Sequence, residues 1–323
     1  MHCVEPAKPL NDAQIGRSFY FIPLMKSHFT KPALSIEEQI QLLRQRGLTV
    51  EDEAYARHYL EKVGYFRLSA YFYPLLKEPK EDHRFKDEST FIQAVQLYKF
   101  DRKLRLLVFS QIEKIEVATK SQILEKSLQE TGDVFWLHDD KNFRDIDQFR
   151  KTERIILDEW RGSKEDFVSH YKHTYCDNPP AWMMIELIPI GVLSHLYKNI
   201  RKMSLQKAIS KEFGLVPEVF SSWLFSLSSI RNICCHHNRL WNRILPNTPM
   251  ELLKPKAHWI DLTSVDRRKT YYKLAMIKYM LSFINPKNRF LEGIVELQSE
   301  FPTVDFRAMD FPDDWQSLPL WCS

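Results

Sequence analysis

SSWLFSLSSIRNICCHHNRLWNRILP, residues 221–246, carries Trp223, Leu227, Ile230, Cys234 and His237 at steps of 4, 3, 4 and 3, the spacing of one face of an α-helix. A stripe of that period faces a core, so the segment predicts a buried helix with His237 as its last inward residue. At about 100° per residue, Asn232 and His236 fall opposite Cys234, within roughly 40° of each other. If the helix persists to Arg243, then Arg239 and Arg243 project the same way, and Arg231 flanks the stripe with a side chain long enough to bend toward His236. The two adjacent histidines are thereby separated: His237 is expected to be structural and His236 is the candidate catalyst, because an imidazole titrates near neutral pH and can take or give a proton. Arg231 and Asn232 suit it, since a guanidinium holds phosphate in a fork and an amide orients a neighbour. A surface or interface histidine without chemistry fits the same spacing.

Other segments also read as helices. SIEEQIQLLRQRG pairs Ser35 with Glu38 as a capping box, sets Ile36, Ile40 and Leu43 at helical spacing and stops at Gly47. A second helix runs through EDEAYARHYLEKVG, and the aromatic-rich GYFRLSAYFYPLL, residues 64–76, predicts a short helix or a packed turn. There Tyr65, Arg67 and Tyr71 either stack on bases or form core. One long helix is expected from Phe91 to about Glu130, where Leu104, Leu107, Val108, Ile112 and Ile115 recur in steps that keep to one side. Glu113, Glu116 and Lys120 lie on its other side, as a solvated ion-pair ladder or as the lining of a site between helices. Further helices are expected near 147–160 and, after Pro179-Pro180, near 181–200.

Composition agrees with an all-α fold. Hydrophobic residues make 44% and aromatics 13% of the 323 residues, enough for a sizeable core, and only 8 glycines occur, which disfavours a parallel α/β sheet with glycine-rich loops. The five cysteines, Cys3, Cys176, Cys234, Cys235 and Cys322, are odd in number and suggest a reducing cytosol rather than a disulfide framework. No stretch of about 18 apolar residues and no export signal is evident, so a cytoplasmic protein is expected. Net charge is +4, yet residues 201–290 hold 16 Lys and Arg against 5 Asp and Glu. Such a basic stretch predicts a surface for a polyanion or, more plainly, a solvated basic face.

Arg231-Asn232-Ile233-Cys234-Cys235-His236 matches the HEPN pattern of Arg, a polar residue, three variable positions and His. The longer string RNICCHHNRLWNR resembles the signature of AbiD/AbiF-like abortive-infection proteins. Similar blocks stand in the same order at 31–48, 58–75, 101–123, 180–197 and 309–321, covering nearly all the chain after residue 30. Cys234-Cys235 replaces an expected Cys-Ala pair, a departure that concerns packing.

The resemblance implies a HEPN-like helical bundle with additional N- and C-terminal helical segments. It is divided here as a tail (1–30), an N-terminal helical region (31–90), a core (91–245) and a basic, closing region (246–323) packed with that core. It further implies a homodimer that brings two Arg231-Asn232-His236 sets toward a shared cleft, and an antiphage toxin acting as a metal-independent endoribonuclease with no cofactor. Glu113 and Glu116 fall in a matching helix as possible site-lining residues. Arg239, Arg243, Lys254, Lys256, Arg267, Arg268 and Lys269 are candidates for tracking an RNA backbone. RNA is the expected partner, as target or as a small noncoding regulator, and no membrane is expected. Two alternatives stay open. One is a metal site from His170, His173 and Cys176 with Cys234 and His237; the other is a non-catalytic RNA-binding or protein-interaction module. GxSxG, GxxxxGK[ST], HExxH and GxGxxG strings are lacking.

Overall fold

A computed structural model describes residues 32–322 apart from 262 and 264; the expected tail, 1–30, lies outside the described residues. Thirteen α-helices occur among the described residues, and the only β pairing is three isolated bridges. In chain order they are α1 (Ile36–Gln45), α2 (Glu53–Lys62), α3 (Tyr65–Phe72), α4 (Phe91–Thr131), α5 (Ile146–Gly162), α6 (Asp166–Thr174) and α7 (Ala181–Leu187). They continue with α8 (Ile190–Asn199), α9 (Met203–Lys211), α10 (Pro217–Cys235), α11 (Thr270–Ile284), α12 (Phe290–Glu300) and α13 (Pro319–Cys322). The all-α expectation holds.

Local chemistry sets the boundaries. Ser35 and Glu38 form the capping box of α1, and Gly47 follows at φ 94°. Thr90 and Gln93 cap α4 in the same way, and Gly132 ends it in the left-handed region. The helical stretch expected near 181–200 is present as two helices, α7 and α8, because Ile188 is extended ahead of Pro189, as the residue before a proline tends to be.

At 41 residues, α4 is roughly 60 Å long and packs against α3, α7, α8, α9, α10, α11 and α12. One hydrophobic cluster built on it runs from Ile40 to Trp321, and a small satellite joins Trp160, Val168 and Tyr171. Helices α8 and α10 approach closely at Gly191, where a Cβ would meet the Ser228 hydroxyl at 2.8 Å.

α11 is buried at every position from Thr270 to Leu281, so it shows no amphipathic stripe for a sequence pattern to reveal. Lys273 lies inside it, 1% exposed, donating to the Ser226 hydroxyl (2.7 Å) and the Asn247 carbonyl (2.9 Å). Burial pushes its amine down to about 7 from the usual 10.5. A neutral amine can still donate to both oxygens, so the fold is compatible with the deprotonated form. Between pH 7 and 10.5 the unfolded chain binds the extra proton, so this group makes stability rise with pH across that window, by at most about 1.4 kcal/mol per unit. Urea unfolding at pH 7 and at pH 9.5 should show the wild-type chain gaining stability over that interval relative to Lys273→Met.

Candidate active site

The last turn of α10 carries the sequence candidates. Trp223, Leu227, Ile230 and Cys234 are buried as their spacing requires. The helix then stops at Cys235, eight residues short of Arg243. His237 takes φ 57°, its amide donates to the Cys234 carbonyl at 3.1 Å, and the Asn238 amide donates to the Ile233 carbonyl at 2.9 Å. That pair of bonds is a Schellman turn, which usually places glycine where His237 stands. Two expectations are corrected as a result. His237 is exposed rather than core, because the turn rotates it off the buried stripe. Arg239 and Arg243 do not extend a helical stripe: Arg239 folds back to donate to the Ala70 carbonyl of α3 at 2.6 Å, and Arg243 donates to the Arg239 carbonyl at 3.2 Å.

Asn232 and His236 lie exposed, one turn apart, with the His236 amide donating to the Asn232 carbonyl at 2.9 Å. Arg231 beside them is half-buried, and its Nε is enclosed without an acceptor. Across from it on α4, Glu116 accepts from the Ile190 amide at the start of α8 and stands 3.9 Å from Lys120. Lys120 in turn donates to the Glu186 carbonyl of α7 at 2.6 Å. Burial raises the Glu116 carboxyl above the usual carboxylate range, against the pull of Lys120, Arg231 and the Ile190 amide. Of the two options for this charged side of α4, the enclosed one fits Glu116 and Lys120, which lie between helices with Glu116 in electrostatic range of Arg231, while Glu113 is exposed one turn away.

The basic candidates disperse. Lys254 and Lys256 are exposed; Arg267 donates to the Pro249 carbonyl, Arg268 pairs with Asp266 at 2.9 Å, and Lys269 reaches the Ala308 carbonyl. Of the metal alternative, His170, His173 and Cys176 are exposed, and no group of three or more metal-ligating side chains occurs among the described residues. Burial pushes the Cys234 thiol up to about 12, opposite to what a thiolate ligand needs.

Sequence reasoning missed the buried network behind the site. Asp101 on α4, fully enclosed, accepts from the Tyr71 hydroxyl (2.6 Å), from Arg105, and from the amides of Leu240 (3.0 Å) and Trp241 (2.7 Å). Burial raises its carboxyl, while Arg105, Tyr71 and the two amides lower it. A signal existed: Leu97, Asp101, Leu104 and Val108 step by 4, 3 and 4, so a charge stands on the buried stripe. Tyr71, considered for base stacking, belongs to this core, and Tyr65 accepts from Arg46. The exposed aromatic of α3 is instead Phe66.

A family model described as "Abi-like protein" matches residues 58–242, more than half of the chain, from within α2 to just beyond α10. It includes Tyr71, Asp101, Arg105, Glu116, Arg231, Asn232 and His236. No curated protein and no solved structure matches the chain. Asp101→Asn should lower stability by about 3–5 kcal/mol in urea unfolding, because it leaves Arg105 buried without its carboxylate. His236→Ala, at an exposed position, should stay within about 0.5 kcal/mol of wild type.

Proposed function

Because this chain belongs to the Abi-like protein family, we propose that it serves abortive-infection defence by cutting RNA, with a HEPN-type site at Arg231, Asn232 and His236. The observation that carries this is the last turn of α10. It presents Asn232 and His236 to solvent side by side, next to an arginine whose Nε meets no acceptor. These are the groups that in-line attack on a phosphodiester calls for.

In the proposed reaction His236 removes the proton of an RNA 2′-hydroxyl, the 2′-oxygen attacks the adjacent phosphorus, and the bond to the 5′-oxygen breaks. The proton returns to the departing 5′-oxygen, so the products are a 2′,3′-cyclic phosphate and a 5′-hydroxyl. Arg231 offsets the negative charge that builds on the phosphorane-like transition state, and Asn232 orients His236 or a phosphate oxygen. Glu116 stands in electrostatic range of Arg231. DNA lacks the attacking hydroxyl and is spared. All proton transfers run through imidazole, so the reaction needs no metal.

A homodimer is part of the proposal. Leu106, Phe109 and Val117 stand outward on one face of α4, Phe109 being the least exposed, and Glu113 lies among them. The two-fold contact is placed along this stripe, where the same apolar patch would meet itself.

Cleavage of total RNA in EDTA by the wild-type chain, His236→Ala and Arg231→Ala tests the site. Metal-free cleavage ending in cyclic phosphate and falling at least about 100-fold in both variants, with helicity unchanged by circular dichroism, is expected. Tight RNA binding without cleavage by any of the three, on RNA from phage-infected cells as well, would replace it with a non-catalytic RNA-binding module.

A further inference from the structure

The structure carries an aromatic and cationic face beside His236 that the catalytic trio does not use. α3 buries Leu68, Tyr71 and Phe72. Phe66, Ala70 and Tyr73 follow at steps of 4 and 3 on another side, with Phe66 91% and Tyr73 51% exposed. Two bonds fix this helix against the segment after α10. Arg67 donates to the carbonyl of His237 at 2.7 Å, and Arg239 donates to that of Ala70 at 2.6 Å. Phe66 is thus the chain neighbour of a residue that touches the backbone next to His236.

Arg67, Lys80, Arg239 and Arg243 stand around this face together with the carboxylates of Glu78 and Asp101. Arg239 feels Arg243 as a repelling neighbour and Tyr73 as a nearby phenol. Lys80 sits 4.4 Å over the Tyr73 ring, its one carboxylate contact being Glu78 at 3.5 Å. The carboxylate that faces Arg239 from α4 is Asp101, already committed to four donors. Open aromatic rings edged by Arg67, Lys80, Arg239 and Arg243 combine the two devices that hold single-stranded nucleic acid: faces for bases, and cations that track phosphates.

We propose that Phe66 is a base-stacking residue for single-stranded RNA, holding a nucleotide adjacent to the phosphate that meets Arg231 and His236, with Tyr73 extending the same track. This deepens the nuclease proposal and rests on it. Phe66 acts on binding, and duplex RNA, whose bases are already stacked, is excluded from the track.

The test uses the full chain carrying His236→Ala, so that RNA stays intact, and a short single-stranded RNA containing 2-aminopurine. Adding Phe66→Ala should weaken binding roughly 5- to 150-fold, the range spanned by loss of one base–aromatic stack, and should abolish quenching of the 2-aminopurine. Phe66→Trp should restore both, and duplex RNA of equal length should compete poorly. In the cleaving chain, Phe66→Ala should raise KM with little change in kcat. Unchanged RNA affinity and quenching in Phe66→Ala would overturn the stacking role while leaving the nuclease intact, and would assign the face to a protein partner. Absence of both RNA binding and cleavage in chains with Phe66 present would overturn the two proposals together.

Discussion

Asp101 accepts four hydrogen bonds in the interior of α4, and each comes from a part of the chain that the site needs in place. Tyr71 belongs to α3, Arg105 to the next turn of α4, and the Leu240 and Trp241 amides to the segment that leaves α10. An ionised carboxylate is costly to bury without such donors, and the donors are equally costly to bury without it. The network therefore selects one arrangement of three elements. Since Asp101 fixes residues 240–241 only a few positions beyond His236, the exit path of α10 is set by a charge that never reaches the surface.

Much of this fold was legible because its local rules agree with one another. The capping box at Ser35, the stop at Gly47 and the apolar periodicity of α4 each name a boundary or a face that tertiary contacts then respect. Legibility failed where the pattern carried no contrast. α11 is buried all round, so it offered no stripe, and its lysines were counted toward a basic surface although Lys273 and Lys278 are enclosed. The end of α10 was overrun because a histidine occupies the left-handed position where glycine announces a stop. At the candidate site, the outward placement of Asn232 and His236 on α10 was readable from spacing, and so was the enclosure of Glu116 as one of two options. Asp101 was not picked out, though its place on a buried stripe marks it, and Phe66 was passed over because exposure cannot be told from sequence in a segment dense with aromatics.

The basic stretch illustrates how net charge misleads when it is read as surface. Arg239, Arg267 and Lys269 each turn a donor to a backbone carbonyl, that of Ala70, Pro249 and Ala308 in turn, and Arg268 pairs with Asp266. These contacts tie the irregular chain between α10 and α11 to α3, to itself and to the turn over 306–309. On the reading proposed above, what remains for a polyanion is local: Arg231, and the cations beside α3. A small number of well-placed charges next to stacking surfaces suits a single strand better than a broad basic plain does.

His237 sits in a conformation that costs an L-residue with a Cβ about 1–2 kcal/mol, and the surrounding contacts hold it there. Its amide is bound by Cys234 and its carbonyl by Arg67, while the chain three residues on is clamped by Asp101. Strain that is over-determined from both sides often marks a position whose backbone must not drift. Here the consequence falls on the neighbour. The His236 backbone is fixed by the helix before it and the turn after it, while its imidazole and the Asn232 amide project into solvent. The backbone of the last α10 turn is thus held from both sides while the side chains it carries stay open to solvent.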